Sequence, residues 1–325
     1  PPPFSSRRRH TRWRLVSRGL GDVYKRQDLA VSTMGRAFWV LDNVATLREA
    51  ALPEPGEKPR LFSPAETIRY RQSYGNTDSN AVPQYPKPSA IIDYYLPESG
   101  GDVTLEVIAT DGSVVNAFRS SEHDVNTATE IVEDMALSET RYIESVSLNA
   151  AEGINRFHWD MRHRGAGDED EKKRFRNGPL VKPGEYTLRL TVEGNTLEQS
   201  LLIRTDPRVT AAGISDEDIV AQVDLNLQVI ALLEEARRLA AALEAEKAGA
   251  SDGNSSRVAA IDRALRTLET AEGTYQQPML IAQIAYLSSM LRQADQRPGR
   301  DAYERYELLR QQFVALREAL DIAAG

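Results

Sequence analysis

Short runs of alternating apolar and polar residues fill the middle of the chain, separated by turn-forming residues. A period of two is the pattern of a strand that buries one face. The runs between residues 89 and 207 are SAIIDYYL, DVTLEVIAT, SVVNAF, RYIESVSL, GINRFHWDM, GEYTLRLTV and TLEQSLLIR. Seven strands within about 120 residues predict an antiparallel β-sandwich of the immunoglobulin-like type over 89–207.

Two charged inserts interrupt this pattern. The first is SSEHDVNTATEIVEDMALSET, residues 120–140, and the second is RHRGAGDEDEKKRFRNGPL, residues 162–180. Both inserts are highly charged, and we expect them to be mobile.

From residue 208 the chain is rich in Ala, Leu, Glu, Arg and Gln, and its apolar residues recur at helical spacing. Ser215 with Asp216 and Asp218 is typical of a helix N-terminus, and Pro278 is typical of the start of a later helix. The apolar positions are Ile219, Val223, Leu227, Ile230 and Leu233; Val258, Ile261, Leu265 and Leu268; Ile281, Ile284, Leu287 and Leu291; Tyr306, Leu309, Phe313, Leu316 and Leu320. Short loops between these stretches predict an antiparallel four-helix bundle over 208–325.

The segment DLAVSTMGRAFWVLD predicts a β-hairpin within residues 28–50. Leu29 and Val31 alternate with smaller or polar residues, Met34-Gly35 supplies the turn, and residues 38–41 form the return strand. An isolated two-stranded hairpin is only marginally stable in water, so this one needs neighbouring strands.

Residues 51–88 contain seven prolines and the polar stretch QSYGNTDSN. Because proline fixes φ and lacks an N–H, we expect an extended, irregular connector that wraps a surface. We expect Leu61, Phe62 and Ile68 to attach this connector to that surface.

The net charge of -8 is unevenly distributed. Residues 1–27 carry eight basic side chains and one acidic side chain, while the rest of the chain carries 32 basic and 47 acidic ones. A basic arm could bind nucleic acid or an anionic surface, or be a harmless disordered tail. Residues 1–27 also resemble translated sequencing adapter, in RRRHTR and GDVYKRQ, which implies a non-native segment on a gene fragment. The remaining acidic body makes nucleic acid an unexpected partner.

The stretch FHWDMRHR, residues 157–164, brings two histidines and a carboxylate close together in sequence. Both residue types serve as metal ligands and proton carriers. An extended strand would separate them, however, with Phe157, Trp159 and Met161 on one face and His158, Asp160 and Arg162 on the other. His163 falls where the strand ends. We therefore expect Trp159 to be a core anchor and the stretch to be structural.

No other chemical signature is present in the sequence. The acidic run 168–171 lacks the spacing and the glycine of a calcium loop, and nucleotide-binding, metalloprotease and nucleophile-elbow patterns are absent. The lack of cysteine excludes disulfides and thiol catalysis. No run reaches the roughly 18 apolar residues of a transmembrane helix. We expect no catalytic residue, no metal and no cofactor in this chain, and no transmembrane segment.

The order of segments resembles a known family. DLAVSTMGRAFWVLDNVATLRE resembles the closing blade of large bacterial β-propeller proteins with BNR repeats and a sortilin-like propeller, often labelled glycosyl hydrolases. The middle is similar to immunoglobulin-like domains of the flagellar hook-capping type, in which a Trp-Asp after G-x-N and a PG-x-Y strand recur. The matching residues are Gly153, Asn155, Trp159, Asp160, Pro183, Gly184 and Tyr186. With the helical tail, the resemblance covers residues 28–325.

The resemblance implies that Trp159, Asp160, Gly184 and Tyr186 determine the fold, and that Trp39 anchors a propeller hairpin. Any active site would lie in a propeller missing from this chain, and the Asp-box pattern S-x-D-x-G-x-x-W does not occur. We therefore expect a non-catalytic C-terminal scaffold or recognition region of an extracytoplasmic protein, with its own propeller and a protein or glycan as partners. The alternative is the accessory region of a BNR-repeat glycoside hydrolase. A nucleic-acid or membrane binder would depend on residues 1–27 alone.

Overall fold

Strands come first along the chain and long helices follow, which confirms the predicted mixture of β and α structure. The computed structural model describes residues 28–33, 36–41, 43–50, 58–71, 88–120, 130–134, 139–143, 147–166, 178–249, 255–271, 273 and 276–322. The strands are β1 (Leu29–Thr33), β2 (Arg36–Leu41), β3 (Arg60–Leu61), β4 (Thr67–Arg69), β5 (Ala90–Leu96), β6 (Val103–Ala109), β7 (Val114–Arg119), β8 (Glu130–Asp134), β9 (Glu139–Ile143), β10 (Gly153–Trp159), β11 (Gly184–Val192) and β12 (Asn195–Thr205). The helices are α1 (Ala45–Ala50), α2 (Pro207–Ala211), α3 (Asp216–Gly249), α4 (Ser255–Leu268), α5 (Leu280–Leu291) and α6 (Arg300–Ile322).

Two sheets share one hydrophobic core. The first has the order β10-β5-β3 and the second has the order β4-β12-β11-β6-β7. In β11 every second residue from Tyr186 to Val192 is buried, as the alternation predicts. The shared core includes Ile92 and Trp159 of the first sheet and Leu105 of the second. Burial of one such side chain contributes roughly 1.5–3 kcal/mol, which is why these strands hold together through their inward faces.

The connector is more regular than predicted in its described part, residues 58–71. Strand β3 pairs antiparallel with β5 and strand β4 pairs parallel with β12, so the connector adds a strand to each sheet. Leu61 and Phe62 are buried as expected, but Ile68 is 43% exposed and its neighbour Arg69 is buried. Ile68 is the register partner of the exposed Arg204, so β-pairing places it on the outer face.

The first insert contains a strand that the sequence pattern did not predict. Strand β8 pairs antiparallel with β9 in a separate two-stranded sheet. The run RYIESVSL is therefore not one strand of a large sheet in its described part, where β9 ends at Ile143 and a single bridge joins Ser147 to Arg119. Strands β8 and β9 are close in sequence, so pairing them closes only a short loop and costs little entropy.

The two described ends of the second insert are bonded to each other. The His163 N–H donates to the Pro179 carbonyl at 3.0 Å, and Arg162 forms a bridge with Leu180. Residues 167–177, which include the acidic run, lie outside the described residues.

The predicted helical positions lie on α3, α4, α5 and α6, and all four helices contribute to one buried core. Helix α3 begins as predicted: the Asp218 N–H donates to Ser215 Oγ at 3.2 Å, and the Ser215 N–H donates to Asp218 Oδ2 at 3.2 Å. These reciprocal bonds form a capping box that satisfies free backbone donors at the helix start.

Strands β1 and β2 pair antiparallel, with Leu29 opposite Leu41, as the hairpin prediction requires. The predicted turn at residues 34–35 lies outside the described residues, as do residues 1–27. Helix α1, which the sequence pattern did not predict, follows the hairpin directly.

Candidate functional site

Trp159 and Tyr186, two of the predicted anchors, lie together in the core of the two sheets. Their ring centroids are 6.1 Å apart in an edge-to-face arrangement. The Trp159 Nε1–H donates to the Arg162 carbonyl at 3.3 Å, and the Tyr186 hydroxyl donates to the Lys182 carbonyl at 2.8 Å. Burial raises the pKa of Tyr186 to about 12. Each ring thus fills the core while its polar atom bonds the backbone, which is the usual arrangement of buried Trp and Tyr.

Asp160 and Gly184 shape the backbone on either side of this pair. Asp160 Oδ1 accepts the Arg162 N–H at 3.2 Å. Gly184 opens β11 with a φ of 145°, which residues with a Cβ rarely adopt. Trp39, the remaining predicted anchor, pairs with Val31 through the backbone of β2, and its side chain lies outside the described part of the chain.

The chain turns sharply after Trp159, and this turn corrects the predicted position of Arg162. Met161 has a φ of 56°, in the left-handed region. The strand alternation therefore stops, and Arg162 is only 4% exposed instead of facing solvent. Its Nη1 donates to the Gly178 carbonyl at 3.1 Å. The prediction failed because it assumed an extended backbone through residue 162.

The two histidines of this stretch have separate environments. His158 is half-buried, and its Nδ1 lies 3.0 Å from Ser89 Oγ. His163 Nε2 is buried and has no hydrogen-bond partner among the described residues. The pKa of His163 is lowered to about 4, mainly by burial and also by the nearby charge of Lys182, while Asp224 opposes the change. Within the described residues, no three His, Cys, Asp or Glu side chains come together as a metal site requires.

A buried ion cluster joins the sheets to the helices, and the sequence analysis missed it. Arg69 Nη2, Arg71 Nε and Arg71 Nη2 donate to Asp295 Oδ1 at 3.1, 3.2 and 3.0 Å. The side chains of Arg69 and Asp295 are 1% and 3% exposed. Arg71 also donates through Nη1 to the Arg292 carbonyl at the end of α5. We call Arg69, Arg71 and Asp295 the junction cluster.

The junction cluster has more positive than negative charge. Arg69 Nε and Nη1 are buried and lack a hydrogen-bond partner in the described part of the protein. Burial lowers the pKa of Arg69, and the attraction of Asp295 opposes that change. A buried ion pair contributes little net stability, but removing one partner leaves a buried charge uncompensated, which is costly. The cluster therefore fixes how β4 meets the segment after α5.

Three further contacts connect the same two parts of the molecule. Lys182 Nζ lies 2.5 Å from Asp224 Oδ1, and Thr205 Oγ1 donates to Asp216 Oδ1 at 2.5 Å. Ala166, which follows the turn at Met161, is buried in the core of the helices. The predicted anchors thus lie next to the segment that reaches the helices.

The β1–β2 hairpin is the second candidate surface, because its aliphatic side chains are open to solvent. Leu29, Val31, Val40 and Leu41 are 52%, 45%, 59% and 44% exposed. No third strand pairs with this hairpin among the described residues. The surface therefore combines exposed apolar groups with two open strand edges.

A buried carboxylate holds the base of the hairpin to the first sheet. Asp93 accepts bonds from Arg156 Nε and Nη2 at 2.8 and 2.9 Å, and from Thr46 Oγ1 at 2.5 Å. Arg156 Nη2 also donates to the carbonyl of Asn43, at 3.4 Å. Asn43 follows the hairpin with a φ of 54°, and its N–H donates to Asp28 Oδ1 at 3.0 Å. The hairpin therefore projects from a fixed base.

None of the helices in the described ranges combines the length and the apolar character needed to cross a lipid bilayer. Comparison with known proteins gave no match: no family model, no curated protein and no solved structure matches this chain.

Proposed function

We propose that this chain is a non-catalytic scaffold region of an extracytoplasmic protein, which presents its β1–β2 hairpin to a sortilin-like β-propeller and recognises a protein or glycan. The exposed hairpin is the observation that carries the proposal. Leu29 and Leu41 are register partners and share one face, while Val40 lies on the other. A two-stranded hairpin with apolar groups on both faces needs a covering partner.

A β-sheet is the partner that fits this hairpin best. Neither strand edge has a partner strand among the described residues, and an added strand would satisfy the N–H and C=O groups along these edges. The bonds from Arg156 and Thr46 to Asp93 hold the base of the hairpin in place, so docking would cost little additional conformational entropy. These features support a role in presenting the hairpin to another sheet.

The proposal includes an immunoglobulin-like sandwich for the two large sheets. In that fold, strands A, B and E lie in one sheet and C, F and G in the other. Here β3, β5 and β10 correspond to A, B and E, and β6, β11 and β12 correspond to C, F and G. Tyr186, near the start of β11, donates to a carbonyl four residues upstream, like the tyrosine corner of this fold.

We also infer that α3, α4, α5 and α6 form an antiparallel bundle. Their shared core supports this, as does a buried polar pair between α3 and α5. Asn226 Nδ2 donates to the Ser288 carbonyl at 3.3 Å, and Ser288 Oγ donates to Asn226 Oδ1 at 2.8 Å. A satisfied polar pair in an apolar core favours a single register between the helices.

Hydrogen exchange tests the proposed role of the hairpin. The chain is expressed alone and together with the coding region that precedes it in its source genome. We expect the amides of β1 and β2 to exchange quickly in the chain alone and at least tenfold more slowly in the longer protein, because pairing and burial protect amides. Strand β5, which is paired within this chain, is the internal control. Equal exchange of β1 and β2 in both proteins would contradict the proposal.

An activity assay separates the scaffold from a hydrolase. The chain is incubated with aryl glycosides and oligosaccharides, and we expect no turnover above the buffer rate. Turnover by this chain alone would overturn the non-catalytic assignment.

A further inference from the structure

A groove opens between α5 and the start of α6, on a part of the surface that the hairpin proposal does not use. Its volume is about 690 Å³. Ala282, Tyr286 and Met290 follow one another at four-residue spacing on α5 and form its apolar wall. Tyr286 is 67% exposed and Met290 is 39% exposed. Tyrosine and methionine are enriched in protein interfaces, so this wall has the composition of a contact surface.

The opposite rim of the groove carries one charge of each sign. Asp301 and Arg305 lie four residues apart on α6, where an acid and a base usually pair. Instead, Arg305 Nη2 donates to Gln283 Oε1 of α5 at 2.7 Å. Among the described residues, neither Asp301 nor Arg305 lies within salt-bridge distance of an opposite charge. Both charges thus remain available to a partner, and Arg305 is held in place by Gln283.

We propose that this groove is the interface of a two-fold homodimer. A two-fold axis brings the same patch of both copies together, so each residue i meets residue j and each j meets i. When α6 of one copy crosses its equivalent antiparallel, Asp301 meets the Arg305 of the second copy, and the reverse pair forms by symmetry. Tyr286 of each copy then covers the apolar wall of the other. A rim with one acid and one base is complementary to itself, which is why a second copy fits better than a partner of single charge.

Charge reversal tests this proposal directly. Analytical ultracentrifugation of the chain should show a monomer–dimer equilibrium that weakens with added salt. Asp301→Arg and Arg305→Asp each place like charges opposite each other twice in the symmetric dimer, so each variant should dimerise about tenfold or more weakly. Mixing the two variants should restore association, because a rim with two bases then meets a rim with two acids. Tyr286→Ala should weaken dimerisation by about tenfold or more through the loss of a central aromatic contact.

The controls separate this interface from the hairpin and from misfolding. Val40→Asp introduces a charge on the hairpin, where Val40 is 59% exposed, and should leave this dimer unchanged. The far-ultraviolet circular dichroism of Asp301→Arg and Tyr286→Ala should match that of the parent, because both residues are exposed. The same measurement checks Arg305→Asp, which loses the bond to Gln283. A monomer at all concentrations, or a dimer that survives both charge reversals and dissociates on Val40→Asp, would overturn the proposal.

Discussion

His163 illustrates how the position of one residue sets its chemistry. Its Nε2 atom is buried, without a partner in the described part of the chain, and Lys182 lies near enough to disfavour a second positive charge. The imidazole is therefore neutral near pH 7. The sequence analysis placed His163 at the end of a strand, but β10 ends at Trp159, and the alternation pattern carries no information on how deeply the His163 ring is buried.

This burial predicts a pH-dependent loss of stability. An unfolded histidine has a pKa near 6.5, whereas that of His163 in the folded protein is about 4. The unfolded chain therefore binds the proton first as the pH falls. The contribution to stability is complete above pH 6.5 and declines towards pH 4, by up to about 3 kcal/mol. Urea unfolding between these pH values should show this decline in the parent but not in His163→Gln, after subtraction of the changes common to both.

The His163 ring can also be followed by itself. Nuclear magnetic resonance should show its Cε1 proton titrating well below the value of a free imidazole. A midpoint near 6.5 would contradict the assigned environment, whatever the unfolding data show.

At the scale of the element, the ends of helices are decided by a few side chains. Helix α3 is 34 residues long, and its first turn depends on Ser215 and Asp218. Its acidic first turn also interacts favourably with the helix dipole. Because capping depends on local spacing, this boundary could be predicted from the sequence. The pairing of β8 with β9 rather than with a large sheet could not be predicted in this way.

Removing the cap should weaken α3. Ser215→Ala leaves the Asp218 N–H without its acceptor and is expected to lower the free energy of unfolding by about 1 kcal/mol. Thr267→Ala in α4 is the matched control: Thr267 is exposed and its hydroxyl only bonds back to the Arg263 carbonyl, so the change should be within about 0.5 kcal/mol of zero. Thermal and urea unfolding measure both. A cost for Thr267→Ala as large as that for Ser215→Ala would rule out a capping effect.

At the scale of the whole molecule, the strands and the helices are coupled at the junction cluster. Asp295 is the acceptor that faces both Arg69 and Arg71, whereas the Lys182–Asp224 pair between the two parts is partly exposed. Surface pairs contribute about 0–1 kcal/mol, whereas an uncompensated buried charge costs several times more. The coupling of the two parts therefore depends mainly on the buried carboxylate.

Neutralising that carboxylate should destabilise the protein and loosen the junction. Asp295→Asn removes the counter-charge of the buried Arg69 guanidinium, and the expected loss is about 3–5 kcal/mol. Calorimetry should show the strand and helix parts separating towards two transitions. Glu304→Gln, which removes an exposed pair with Arg300, should change the free energy of unfolding by less than about 1 kcal/mol. Equal effects of the two substitutions would mean that the junction cluster does not couple the two parts.

The sequence by itself predicted the long strands of the two sheets and the four long helices, because periodicity and capping are local. It also identified Trp159 and Tyr186, whose rings pack together in the shared core. Only the tertiary structure decided which residues are buried where the chain leaves a regular alternation. Alternation alone does not show that Arg69 is buried and Ile68 is exposed. The left-handed backbone at Met161 likewise turned Arg162 towards the interior. Arg69 and Asp295 are 226 positions apart, and no local pattern relates residues so distant until folding brings them into contact.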